Sequence, residues 1–184
     1  FSWWTNIRFE SRFTGDLCLL MAAAGCIAVS GGLETASDRL LSHMCKGVDI
    51  EQATLAMRNF SNAGIMVHTY LMYGFPTQTL QESVDSLEVV RQLFRAELVD
   101  SAFWHRYAMT VHSPSGTDPE KYGVRRRNAH VHLFANNEVA FVENRGYNVS
   151  QTGDALNEAL AGYMYGEGTD IPVHKWFPGK APAT

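Results

Sequence analysis

The chain has 184 residues, 46% of them hydrophobic, enough for one domain with a buried core. Its net charge is −4 and its basic residues are scattered, the only dense run being Arg125 to Arg127, so no basic face for nucleic acid is present. No apolar run approaches the ~20 residues of a membrane span, and nothing resembles a secretion signal.

The first residues, Ser2 to Phe9, read as a strand with no polar leader and no cap. That suggests a chain beginning inside a larger fold, with an unpaired edge through which a homodimer could form; a processed terminus is the alternative. Thr14 to Ala24 follows as a helix capped by Thr14, its apolar face formed by Leu17, Leu20, Met21 and Ala24, and Gly25 ends it. Cys26 to Ser30 is a short apolar strand, and Ser37 can cap a helical turn carrying Leu40, Leu41 and Met44. Asp49 opens the next helix with Gln52 as the return half of a capping box, and Ile50, Ala53, Met57, Phe60 and Ala63 make one buried stripe before Gly64.

Ile65 to Tyr73 is a continuous β-branched and aromatic run, as expected of a strand covered on both faces. Thr79 and Glu82 form a capping box for a helix presenting Leu80, Val84, Leu87, Val90 and Phe94, and Leu98 to Thr110 reads as a further strand. Strict alternation predicts a parallel sheet with helices outside it. After Pro114 the pattern changes: short strands are expected at His130 to Phe134 and Val139 to Val142, a helix at Asp154 to Tyr165, and a Gly/Pro-rich tail from Gly166. Cys18, Cys26 and Cys45 form no even disulfide framework and read as reduced, inward-pointing thiols of a cytoplasmic protein.

Two segments carry the functional signal: Ala28-Val-Ser-Gly-Gly-Leu-Glu34 and Met72-Tyr-Gly-Phe-Pro-Thr-Gln-Thr79. Each is an apolar run ending in glycine and polar residues before a helix start, the way a parallel strand delivers a loop to a ligand site. Glu34 is placed to accept hydrogen bonds from a ribose diol, or else it starts the next helix and favours its dipole. Lys46 either caps the last carbonyls of a helix or reaches a carboxylate ligand, and spacing does not separate the two. Gly74 permits close backbone approach, and Met72 and Tyr70 line an adenine pocket or are simply core. The histidines (His105, His112, His130, His132) have no zinc spacing, and no nucleophile elbow or phosphate loop is present, so no metal site is expected within the chain.

Taken in order, Ala24-Gly-Cys-Ile-Ala-Val-Ser-Gly-Gly-Leu-Glu34, Leu40-Leu41, Met44-Cys-Lys46-Gly47, Ala63-Gly-Ile65 and Tyr73-Gly-Phe-Pro-Thr-Gln-Thr79 resemble the second half of a radical S-adenosylmethionine (SAM) enzyme. The likeness is to the subgroup with an N-terminal cobalamin-binding domain, which includes magnesium-protoporphyrin ester cyclase-like Fe-S oxidoreductases. The Phe103-Trp-His-Arg106 and His112-Ser-Pro114 segments also look like the post-barrel region of that subgroup. The resemblance implies an α/β fold, the C-terminal portion of a partial (β/α)6 TIM-like barrel over residues 1–118, with a small appended α+β region over 119–184. It also implies roles. Glu34 would bind the SAM ribose, Lys46 and Arg8 its carboxylate, Tyr70 the ribose again, and Met72 and Gly74 the adenine.

The family's Cys-x3-Cys-x-x-Cys cluster motif and its glycine-rich second-strand motif are absent from the sequence. The resemblance therefore implies one wall of a SAM site, with the [4Fe-4S] cluster, and cobalamin if used, held by a parent enzyme acting on an unidentified small molecule. A non-catalytic α/β binding module and an unrelated small α/β enzyme are the alternative readings.

Overall fold

Capping chemistry divides the chain into its elements. Strand β1 (Trp3–Ile7) leads to helix α1 (Gly15–Ala23), where the Thr14 hydroxyl accepts from the Leu17 N–H. Strand β2 (Cys26–Glu34) is followed by α2 (Asp38–His43) and α3 (Ile50–Asn62), capped by Ser37 and Asp49. After β3 (Met66–Tyr73), helix α4 (Leu80–Arg95) opens on a reciprocal capping box between Thr79 and Glu82, and β4 (Ser101–Arg106) closes the alternation. The computed structural model describes residues 1–127 and 137–184.

The sheet has order β1-β2-β3-β4 with every neighbouring pair parallel, so the expected α/β fold and parallel sheet hold. β1 lies at one edge, as the sequence suggested. Beyond β4 come a short helix α5 (Pro114–Thr117), an antiparallel pair of β5 (Arg125–Arg126) with β6 (Phe141–Val142), and α6 (Val149–Met164). The strand expected at His130 to Phe134 lies outside the described residues.

Several boundaries differ from the sequence expectation, each for a local reason. β2 does not stop at Ser30 but runs through its glycines, because Glu34 still pairs with Leu71 after an irregularity past Gly32. β4 is shorter than Leu98 to Thr110; Asp100 instead turns to accept the Val67 N–H through its carboxylate. Helix α6 starts ahead of Asp154 because the Asn148 side chain accepts from the Ser150 and Gln151 N–H groups.

One continuous core fills the space between the sheet and its helices. Val29, Leu33, Val67 and Leu71 from the strands meet Met57 and Phe60 of α3 and Val84 and Leu87 of α4. Residues after 118 complete the same core: Leu156, Ala159 and Leu160 of α6, then Val173 and Phe177 from the Gly/Pro-rich tail. The expected face of α1 is corrected, since Leu20 is 65% exposed while Cys18 is buried. Cys45 is likewise exposed rather than inward-pointing.

Strand β3 is covered on one face only, against the expectation of cover on both. Val67, Thr69 and Leu71 are buried, whereas Met66 and Tyr70 on the opposite face are exposed, together with Trp4 of β1 and Phe103 of β4. That open face carries a ring cluster in which Tyr70 lies 4.8 Å from His68 and 5.7 Å from His105, centroid to centroid. Burial, and then the neighbouring His105, hold the His68 imidazole below its ordinary value.

Candidate ligand cleft at the carboxyl ends of the strands

Ligand loops in parallel α/β folds gather at the carboxyl edge of the sheet, and the end of β2 meets the end of β3 there. Glu34 closes β2 in the left-handed region, φ 64°, a conformation that costs a non-glycine residue about 1–3 kcal/mol. This turn carries its carboxylate to Lys46, whose Nζ donates to Oε1 at 2.5 Å. Gly32 makes the approach possible: a Cβ there would sit 2.2 Å from Glu34 Oε1 and 3.0 Å from Lys46 Nζ.

The pair borders a cleft of about 210 Å³ whose other walls are Met44, Met72, Phe75, Tyr107, the Ser113 to Ser115 turn and Tyr122. Phe75 meets Tyr107 edge-on at 4.9 Å between centroids, and the Tyr107 hydroxyl is hydrogen-bonded to that of Ser115. Charged groups at one end and a sulfur-and-aromatic lining at the other suit a ligand that is polar at one end and planar at the other. A carboxylate accepting one bond retains acceptor capacity for a diol, and an ammonium with three donors retains capacity for an anion.

Of the residues singled out in the sequence, Glu34, Lys46 and Met72 line this cleft together. Arg8 stands beside it, donating to the Lys46 carbonyl while its guanidinium lies 3.7 Å from Glu10. Tyr70 and Gly74 are elsewhere. Tyr70 belongs to the ring cluster of the open sheet face, and Gly74 lines a separate, open cavity of about 790 Å³ with Arg106, Arg145 and Tyr147. A Cβ on Gly74 would meet Val149 Cγ1 at 2.9 Å, so this glycine, at φ 76°, serves the docking of α6.

Sequence reasoning missed Phe75, Tyr107, Ser115 and Tyr122 as walls. Phe75 lay inside a motif already noticed, whereas Tyr107 and Tyr122 reach the cleft only through the turn-rich segment after β4. It also missed Arg39 and Arg145, which hold the loop after β3. Arg39 donates to the Thr77 carbonyl at 2.9 Å and forms a two-pronged pair with Glu82, both contacts at 2.8 Å.

A [4Fe-4S] cluster does not fit the described residues. Among the described residues no group of three or more His, Cys, Asp or Glu side chains could hold a metal. Cys18 and Cys26 are buried free thiols, pushed up from the ordinary thiol value by that burial, and Cys45 is exposed and alone. Also among the described residues, no helix is long and apolar enough to cross a membrane.

The family model for the radical SAM superfamily matches residues 8–90. An uncharacterized methyltransferase of Pyrococcus horikoshii is 27% identical over 90 residues, 49% of this chain and 20% of that protein. An uncharacterized protein of Methanopyrus kandleri is 38% identical over 56 residues, 30% of this chain and 11% of that protein. Among solved structures, the radical SAM methyltransferase TsrM of Kitasatospora setae, with cobalamin and a [4Fe-4S] cluster bound, superposes with a TM-score of 0.57 at 20% identity, over 70% of this chain and 26% of its own. The Elp3 protein of Methanocaldococcus infernus does so with a TM-score of 0.53 at 14% identity, over 61% and 26%.

The chain therefore spans a fifth or less of those two relatives and about a quarter of either solved chain. The two structural likenesses establish a shared fold. The matched segment, just under half of the chain, contains Glu34, Lys46, Met72 and the loop after β3, and it is this segment that is similar to the radical SAM superfamily.

Proposed function

We propose that this chain supplies the ribose, carboxylate and adenine wall of a SAM site in a radical SAM enzyme. One observation carries the reading: Glu34 of β2, Lys46 of the loop after α2 and Met72 of β3 converge on one cleft at the carboxyl edge of the sheet, inside the segment that matches the superfamily. SAM, when bound with a reduced [4Fe-4S] cluster, supplies radical chemistry through its reductive cleavage.

The chain's own residues bind and orient. The Glu34 carboxylate accepts from the ribose hydroxyls on its free lone pairs, and Lys46 pairs with the amino-acid carboxylate. Arg8, beside Lys46, reinforces that positive end. Met72, Phe75 and Tyr107 enclose the adenine and keep water from it. The cluster and the substrate belong to the remainder of the enzyme. Cobalamin is a second cofactor to test there, because TsrM, which shares the fold, contains it.

Calorimetric titration of the protein with SAM tests the assignment. Glu34→Ala should weaken binding by roughly 1–3 kcal/mol, the range for losing charge-assisted hydrogen bonds. Affinity equal to that of the unmutated protein would remove Glu34 from the ribose.

A further inference from the structure

The loop from Gly74 to Gln78 has nearly all its backbone polar groups satisfied, from three directions. Within the loop, Gln78 Oε1 accepts the Gly74 N–H at 2.7 Å and the Phe75 N–H at 3.2 Å. From α2, Arg39 donates to the Thr77 carbonyl. From the segment between β6 and α6, Arg145 donates to the Gly74 carbonyl at 2.8 Å and the Phe75 carbonyl at 3.0 Å. Glu143 accepts the Thr77 N–H at 2.7 Å, and the Tyr147 hydroxyl donates to the Gln78 carbonyl at 3.0 Å.

Arg145 and Glu143 are paired with each other at 2.6 Å, with 8% and 10% of their side chains exposed. An ion pair this buried is retained at a desolvation cost, and its best-attested use is to fix a geometry. The geometry in question is unusual, since Thr77 sits at φ 66°, where a β-branched residue is strained. Held this way, the loop delivers the Phe75 ring to the cleft wall against Tyr107 and Tyr122.

We infer that Arg145, with Glu143 and Tyr147, is a positioning device through which the region after β6 sets the ligand affinity of a cleft it does not itself line. The inference rests on the SAM reading above. It assigns a role to the C-terminal region: by holding two successive carbonyls with one planar guanidinium, Arg145 pre-organises the loop, so that the ligand does not have to order it. Lysine, with a single compact ammonium, cannot reproduce that fork.

The test compares unmutated protein with Arg145→Lys, Arg145→Met and, as a milder variant in case the second fails to fold, Tyr147→Phe. Two quantities are read: amide hydrogen exchange by NMR, and the dissociation constant for SAM. We expect the Thr77 amide to exchange on the order of tenfold faster or more in Arg145→Met, while the Val67 and Val29 amides of the sheet keep their protection. SAM affinity should fall about tenfold in Arg145→Met and less in Arg145→Lys, and bound SAM should slow the Thr77 exchange of the variant.

Loop protection lost with SAM affinity unchanged would overturn the positioning role, as would a loop whose exchange is the same in all variants. No SAM binding by the unmutated protein would instead overturn the functional reading on which this role depends. A uniform loss of protection through the sheet would mean that Arg145 merely supports the fold.

Discussion

Two glutamates end up beside a cation at the same edge of the sheet, and their surroundings could hardly differ more. Glu82, at the start of α4, accepts five hydrogen bonds: two from Arg39, one from the Ser37 hydroxyl, and two from the N–H and hydroxyl of Thr79. Glu34, at the end of β2, accepts one, from Lys46, among the described residues. The first carboxylate is saturated and serves the fold. The second keeps lone pairs free, and its backbone is strained to hold it there. Counting donors around a partly buried carboxylate thus separates a brace from a proposed binding group, where charge and burial alone do not.

The largest effect expected from this contrast is on stability. Glu82→Ala removes the return half of the capping box and the acceptor of five hydrogen bonds, and should destabilise the protein by about 2–3 kcal/mol in urea unfolding. The same substitution at Glu34 should cost less than about 1 kcal/mol, because it breaks a single pair that water can partly replace. A larger loss at Glu34 than at Glu82 would reverse the assignment of brace and binding group.

Acid should discriminate next. Burial opposes ionisation of Glu82, but the hydrogen bonds from Arg39, Thr79 and Ser37 outweigh it and hold the group at about 2. A folded value below the ordinary one near 4.5 means that the charge stabilises the fold fully above that pH and less as the pH falls toward 2. Stability measured from pH 5 to pH 2 should therefore decline in the unmutated protein, and the decline should be shallower in Glu82→Gln. Parallel profiles would mean that other carboxylates govern the acid response.

Local chemistry accounts for what was readable in advance. The caps at Thr14, Ser37, Asp49 and Thr79, the stripe of α3 and the glycine stops act within a few residues of themselves, so the alternation and the parallel sheet were legible. The meeting of Glu34 with Lys46 was half legible. Each residue was noticed at a strand or helix end, but their direct pairing depends on the left-handed turn at Glu34 and the empty space at Gly32. The hold of Arg145 on Gly74 spans 71 residues of sequence, and nothing near Arg145 announces it. The apolar content of β3 concealed its open face, because Met66 and Tyr70 give the same pattern whether they meet a helix or solvent. Leu20 misled in the same way: an apolar helical position was assigned to a face that the sheet does not cover.

If Glu34 holds the ribose as proposed, its left-handed turn also sets stability and function against each other. Glycine adopts φ 64° without the Cβ conflict that glutamate suffers there. Glu34→Gly would thus relieve backbone strain while deleting the carboxylate. The variant should melt no lower than Glu34→Ala, and by about 1 kcal/mol it should be the more stable of the two. It should bind SAM as poorly as Glu34→Ala. A screen for thermostable variants would accept this glycine and discard the proposed binding group, whereas selection for ligand affinity would keep the strained acid. Position 34 is therefore where a stability–activity trade-off in this chain would be found.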